Sequence, residues 1–117
     1  MEFTDNEYAK MRLELAADAA KAVLRHIVMY ERRCKGMSET AIRLLGEYCD
    51  VRGCTVKRWT EFGIPEKHVQ NVLDFMAVYP CVWSRHQLAP TEREAEIWLK
   101  RLYGECVVKG RAFDYAA

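Results

Sequence analysis

The sequence predicts a mainly α-helical fold in which a helix-turn-helix is followed by a short pair of strands. Apolar residues recur every three or four positions in five segments, which is the period of an amphipathic helix. The few glycines and prolines fall between those segments. Gly63 separates two of the shorter segments, and Pro65 opens the second of them. The 117 residues have the size of one domain, so 1–117 is expected to fold as a single unit.

The first predicted helix spans 4–35. Thr4, followed three residues later by Glu7, has the pattern of a capping box. The helix carries two apolar stripes and would extend roughly 45 Å, which exceeds one small core. We therefore expect one stripe to form a homodimer interface together with the last helix; the alternative is a wide face wrapped by the helix's own domain. The expected interface residues are Tyr8, Met11, Leu15, Ala19, Val23, Ile27, Trp98 and Leu102.

The region 38–90 is predicted to hold the helix-turn-helix and the strands. Ser38 caps a second helix, and Thr55 caps a short third helix that Gly63 ends. Pro65 opens a fourth helix, because proline is favoured in a first helical turn. A short helix, a glycine turn and a second helix three residues later form the layout of a helix-turn-helix.

The segment after the fourth helix is predicted to form two short strands, Cys81–Trp83 and Gln87–Leu88, around the turn 84–86. A further helix is expected over 91–104, because a threonine at its start and a glutamate three residues later again have the capping-box pattern. Residues 105–117 are interpreted as a tail.

The central part of the chain resembles the winged helix-turn-helix family of transcription regulators, and within it the MarR-like proteins. The residues that carry the resemblance are Phe62–Pro65, Val69, Val72–Leu73, Tyr79–Trp83 and Leu88–Glu92. The resemblance covers roughly 38–103. The chain departs from the family pattern at Arg58 and Trp59, where an aliphatic residue and then alanine are usual, and its wing is several residues shorter.

The resemblance implies a homodimer that reads double-stranded DNA with the fourth helix, at half-sites roughly 34 Å apart. Amide side chains can bond bidentately to adenine, and cations can reach guanine or phosphate. The alternative interpretation is a solvated helix face without a ligand. The expected DNA contacts are Thr55, Lys57, Arg58, Lys67, His68, Gln70, Asn71, Arg85 and His86.

The charge of the chain favours a rival function. Its formal net charge is +1, whereas nucleic-acid binders usually carry a marked basic excess. From Thr55 to His86 four basic residues stand against three acidic ones, and Glu66 and Asp74 lie on the fourth helix itself. The rival is a protein-interaction module, such as an adaptor or an inhibitor of a larger protein, that does not bind DNA.

The cysteines and tryptophans each allow two interpretations. Five cysteines at irregular spacing do not form a disulfide framework. Cys34 lies between Arg33 and Lys35, whose charges would favour a reactive, redox-sensing thiol; the alternative is an incidental cysteine. The three tryptophans either line a small-ligand pocket or pack in the core; they are Trp59, Trp83 and Trp98.

The sequence contains no pattern that indicates an enzyme, a zinc site or a membrane protein. No histidine lies in a recognisable catalytic arrangement, and no glycine-rich phosphate loop is present, so we expect no enzyme and no cofactor. The cysteine spacing does not match a zinc site. No apolar run approaches the roughly 20 residues of a membrane span, and the charged N-terminus lacks a signal core, so a cytoplasmic location is expected.

Overall fold

A computed structural model describes residues 3–107, with side chains described up to residue 102. The elements in chain order are α1 (Asp5–Tyr30), a 3-10 turn (Arg32–Cys34), α2 (Ser38–Cys49), α3 (Gly53–Phe62), α4 (Glu66–Met76), α5 (Arg85–Leu88) and α6 (Glu92–Val107). The last helix therefore continues beyond the expected limit at 104. The remainder of the predicted tail, 108–117, lies outside the described residues.

The start of α1 confirms the predicted capping box. The backbone N–H of Glu7 donates to the Thr4 hydroxyl at 3.2 Å, and the Thr4 N–H donates to the Glu7 carboxylate at 3.1 Å. The helix ends at Tyr30 rather than at residue 35. Glu31 adopts an extended conformation, and its carboxylate accepts the N–H of Arg33, so it caps the following 3-10 turn and ends α1.

The α1 helix is the centre of the fold, since α2, α3, α5 and α6 all contact it. Four buried α1 residues, Ala20, Val23, Leu24 and Ile27, belong to the main apolar core. The core also contains Leu45 of α2, Val56 and Trp59 of α3, Val69, Val72 and Met76 of α4, and Leu88 of α5. Near the start of α1 a smaller cluster joins Met11 to Ala95 and Leu99 of α6.

This packing corrects part of the expected dimer interface. Val23 and Ile27 are 0 % exposed and Met11 is 7 % exposed in the single chain. These three residues of the stripe that was expected to meet a second copy are covered by the chain's own helices, so the alternative of a wrapped face holds for them. A helix can carry two apolar stripes because it is surrounded on several sides within one domain.

The turn between α3 and α4 matches the prediction closely. Gly63 has a φ of +87° and a ψ of 166°, a conformation that essentially only glycine adopts. A Cβ at this position would lie 2.5 Å from the Cβ of Ala16, so α3 ends in direct contact with α1. Ile64 is buried, and Val69 and Val72 are fully buried between the helices.

The predicted two-stranded wing is wrong, and with it the winged architecture. No strand occurs anywhere in residues 3–107. The segment 81–84 has no regular structure, and Arg85–Leu88 form the short helix α5. The turn 84–86 lacks a glycine or asparagine for the positive φ angles of a tight hairpin. Instead the Ser84 N–H donates to the Gln87 side chain at 2.7 Å, and this bond starts a helical turn.

None of the helices in the described part of the chain combines the length and the apolar character needed to cross a bilayer.

Candidate functional site

The α4 helix presents a mixed polar face to solvent, as expected for the proposed recognition helix, but His68 is not part of it. His68 is half-buried, and its ring lies 5.3 Å from the ring of Trp59. Its Nδ1 is buried without a hydrogen-bond partner. Trp59 itself is 3 % exposed and fills the core between α3 and α4. The unusual tryptophan at this position therefore draws the histidine inward, which corrects its expected role in DNA contact.

Three of the basic residues around α4, Lys57, Arg85 and His86, lie next to carboxylates of the same chain. Lys57 Nζ lies 3.3 Å from Glu39 Oε1, and Arg85 Nη2 lies 2.8 Å from Glu66 Oε1. His86 Nδ1 lies 3.7 Å from a Glu94 carboxylate oxygen. Such exposed pairs are individually weak, so a phosphate could compete for the cations. Each released carboxylate would, however, remain next to that phosphate and repel it.

On and near α4, one polar side chain is bonded within the chain and others are free. The Gln70 amide donates to Asp74 Oδ1 at 2.9 Å, which occupies a donor needed for bidentate adenine contact. Arg58, Lys67 and Asn71 are exposed and form no hydrogen bond or ion pair within the described residues. Of the nine expected DNA contacts, these three are the exposed side chains without a partner among the described residues, and Thr55 is half-buried. With four basic and three acidic residues between Thr55 and His86, the surface is close to neutral.

A groove between α1 and the end of α3, here called the α1–α3 groove, was not predicted. It has a volume of about 520 Å³ and is lined by five polar or charged residues and by eight apolar residues from several elements. These are Ala9, Leu13, Ala16, Phe62, Ile64, Leu88, Ala89 and Pro90. Phe62 and Leu13 are 60 % and 43 % exposed. Phe62 lies three residues after the buried Trp59, a spacing that usually keeps two residues on the same helix face, so helical periodicity alone did not indicate that Phe62 would be exposed.

A second groove of about 460 Å³ lies between α1 and α6. Trp83 and Trp98 line it together with Leu15, Ala19 and Ala22 of α1, whereas Trp59 lies in the core. Trp83 is half-buried, with its ring 5.2 Å from that of His26, and Trp98 is 43 % exposed. Four expected interface residues keep exposed surface here or nearby: Leu15, Ala19, Trp98 and Leu102.

Cys34 lacks the properties of a sensor thiol. It is 1 % exposed, and burial raises its pKa, more than the neighbouring Arg33 lowers it. A raised pKa reduces the thiolate that reacts with oxidants. Cys54 is the exposed cysteine of the described residues, at the first turn of α3.

Among the side chains of residues 3–102, no three of the metal-binding types come together. No protein-family model, curated protein or solved structure matches the chain.

Proposed function

We propose that this chain is a protein-interaction module whose α1–α3 groove receives an apolar segment of a partner protein. The observation that carries the proposal is the position of Phe62 and Leu13. Both are large, apolar and substantially exposed, and both line the same groove. Adjacent exposed apolar side chains over an apolar floor are typical of protein-binding surfaces on small domains.

The chemistry of the groove indicates the kind of segment it would take. Ile64 and Leu88 form a buried apolar floor that favours an aliphatic or aromatic anchor. At the rim, Arg85 and Glu66 are paired with each other, and Arg12 donates to the carbonyl oxygen of Pro90 at 3.1 Å. Because the rim charges are already satisfied, apolar burial would supply most of the affinity. An amphipathic helix with one or two anchors fits this description.

A selection from a random peptide display library tests the proposal. We expect the wild-type protein to enrich peptides that share an apolar anchor. Replacing Phe62 with serine should reduce their binding at least about tenfold, since a buried aromatic anchor contributes about 2 kcal/mol or more. Val82→Ser is the matched control, because Val82 is 94 % exposed and does not line the groove. Enrichment that is the same on wild type and on the Phe62 variant would contradict the proposal.

A second candidate is binding of double-stranded DNA by a homodimer, which Arg58, Lys67 and Asn71 favour because they are exposed and unpaired among the described residues. DNA binding should be detectable at about 50 mM salt and should weaken steeply as salt rises, because bound cations are released from the phosphates. Replacing both Arg58 and Lys67 with alanine should flatten that salt dependence. A folded protein that does not bind random duplex DNA at low salt would leave the protein-interaction proposal as the sole candidate.

A further inference from the structure

The solvent-facing side of α1 carries four charged residues in a segregated order. Glu14, Asp18, Lys21 and Arg25 follow one another at spacings of four, three and four residues, so they form one ridge along the helix. All four are exposed. The ridge has two acidic residues in its first half and two basic residues in its second half.

This order is unfavourable for the helix on its own. Glu14 and Asp18 are like charges four residues apart, and so are Lys21 and Arg25, a spacing at which like charges repel. None of the four takes part in the ion pairs of the described residues. Opposite charges at this spacing stabilise a helix, whereas on this ridge both pairs at spacing four are alike, and only Asp18 and Lys21, three residues apart, bring opposite charges together.

A second copy of the same helix supplies those partners when it lies antiparallel. With a two-fold axis between Asp18 and Lys21, Arg25 of the second copy lies opposite Glu14, and Lys21 of the second copy lies opposite Asp18. The symmetry repeats both pairs on the other side of the axis. The outer pair then lies about 8 Å from the axis along the helix, at 1.5 Å per residue.

The surface beside the ridge is partly apolar. Ala22 is small and half-buried, and it lines the groove between α1 and α6 together with Asp18 and Arg25 of the ridge. On α6, Trp98 and Leu102 are 43 % and 46 % exposed and lie one helical turn apart. Burial of these apolar side chains would supply affinity, and the charged ridge would select the antiparallel orientation.

We propose that this chain forms a two-fold symmetric dimer through antiparallel α1 helices, with Glu14 and Asp18 of each copy paired with Arg25 and Lys21 of the other. This dimer contact does not involve the α1–α3 groove. It also differs from the interface expected on the sequence alone, because Val23 and Ile27 play no part in it.

Charge-reversal variants test this pairing by sedimentation equilibrium at low salt and roughly 100 μM protein, where a weak dimer is populated. The variant Glu14→Lys/Asp18→Lys has an all-basic ridge, and Lys21→Glu/Arg25→Glu has an all-acidic one. Each should dimerise at least about tenfold more weakly than wild type, because like charges then face each other. An equimolar mixture of the two should form a one-to-one heterodimer. The variant with all four substitutions has two basic residues in the first half of the ridge and two acidic residues in the second half, so it should dimerise again.

The four substitutions are at exposed positions, so circular dichroism should show folded variants. Should a reversal variant fail to fold, Glu14→Gln/Asp18→Asn removes charge without introducing repulsion and should still weaken the dimer. A monomeric wild-type protein under these conditions would overturn the proposal. So would undiminished dimers of the reversal variants, or a mixture that does not associate. Peptide binding in the α1–α3 groove should be the same in all these variants.

Discussion

At the scale of single residues, the contact between Gly63 and Ala16 determines how α3 meets α1. We expect Gly63→Ala to destabilise the protein by about 2–4 kcal/mol, since the new Cβ is strained by the backbone and collides with Ala16. Urea unfolding followed by circular dichroism measures this change. Gly36→Ala is the control: Gly36 also has a positive φ, of +79°, but no atom lies within 4 Å of its added Cβ. A cost for Gly63→Ala no larger than that of the control would show that the close approach is unimportant.

A second residue-scale feature is the bond between Glu31 and Tyr79. Arg33 and then Tyr79 hydrogen-bond the Glu31 carboxylate and lower its pKa to about 2. Burial, followed by the same bond to Glu31, raises the pKa of Tyr79 to about 12. The phenol donates to the carboxylate at 2.8 Å, which ties the end of α1 to the segment after α4.

These two pKa values predict how stability varies with pH. Because the Glu31 pKa is lowered in the folded protein, its stabilisation is present above the ordinary value of 4.5 and is lost as the pH falls towards 2. The Tyr79 contribution is present below pH 10 and is lost as the pH rises towards 12. Glu31→Gln should flatten the acid dependence of the unfolding free energy. If the unfolding free energy fell by the same amount between pH 5 and pH 2 in the variant and in wild type, this assignment would be contradicted.

At the scale of elements, α5 stands where two strands were expected. Leu88 is 0 % exposed and fixes this short helix to the core, so Leu88→Ala should cost about 2–5 kcal/mol of unfolding free energy. Val82→Ala, in the irregular segment before α5, should change stability by less than about 0.5 kcal/mol because Val82 is exposed. Denaturant unfolding of both variants measures the difference. Equal effects would indicate that α5 is not anchored in this way.

The other elements were largely predictable, because local patterns specify them. The helices at Ser38–Cys49, Gly53–Phe62 and Glu66–Met76 follow from apolar periodicity and from the turn at Gly63. The strand prediction failed because a short apolar run, Cys81–Trp83, followed by polar residues and Leu88 suits either a hairpin or an irregular segment with one helical turn. A helical turn forms here because the turn 84–86 has no glycine or asparagine and because the turn buries Leu88 in the core.

At the scale of the whole molecule, α1 packs against α2, α3, α5 and α6, and its charged side faces solvent. Val23 is fully buried against them, so Val23→Asp should unfold the protein rather than yield folded monomers, because an unpaired charge in the core is very unfavourable. Met29→Asp is the control, since Met29 is 68 % exposed on the same helix. Circular dichroism and analytical ultracentrifugation together separate the outcomes. A folded monomer of the Val23 variant would revive the interface expected from the sequence.

The sequence by itself determined the helical class, the capping box at Thr4 and the glycine turn at Gly63, since each depends on neighbouring residues and their backbone preferences. Only the tertiary structure decided which α1 stripe is covered, that His68 turns inward to Trp59, and that Lys57 and Arg85 are paired with carboxylates. Those outcomes depend on residues distant in the chain that meet only when the helices pack. Helical periodicity tells which residues share a face, and the rest of the fold determines what that face meets.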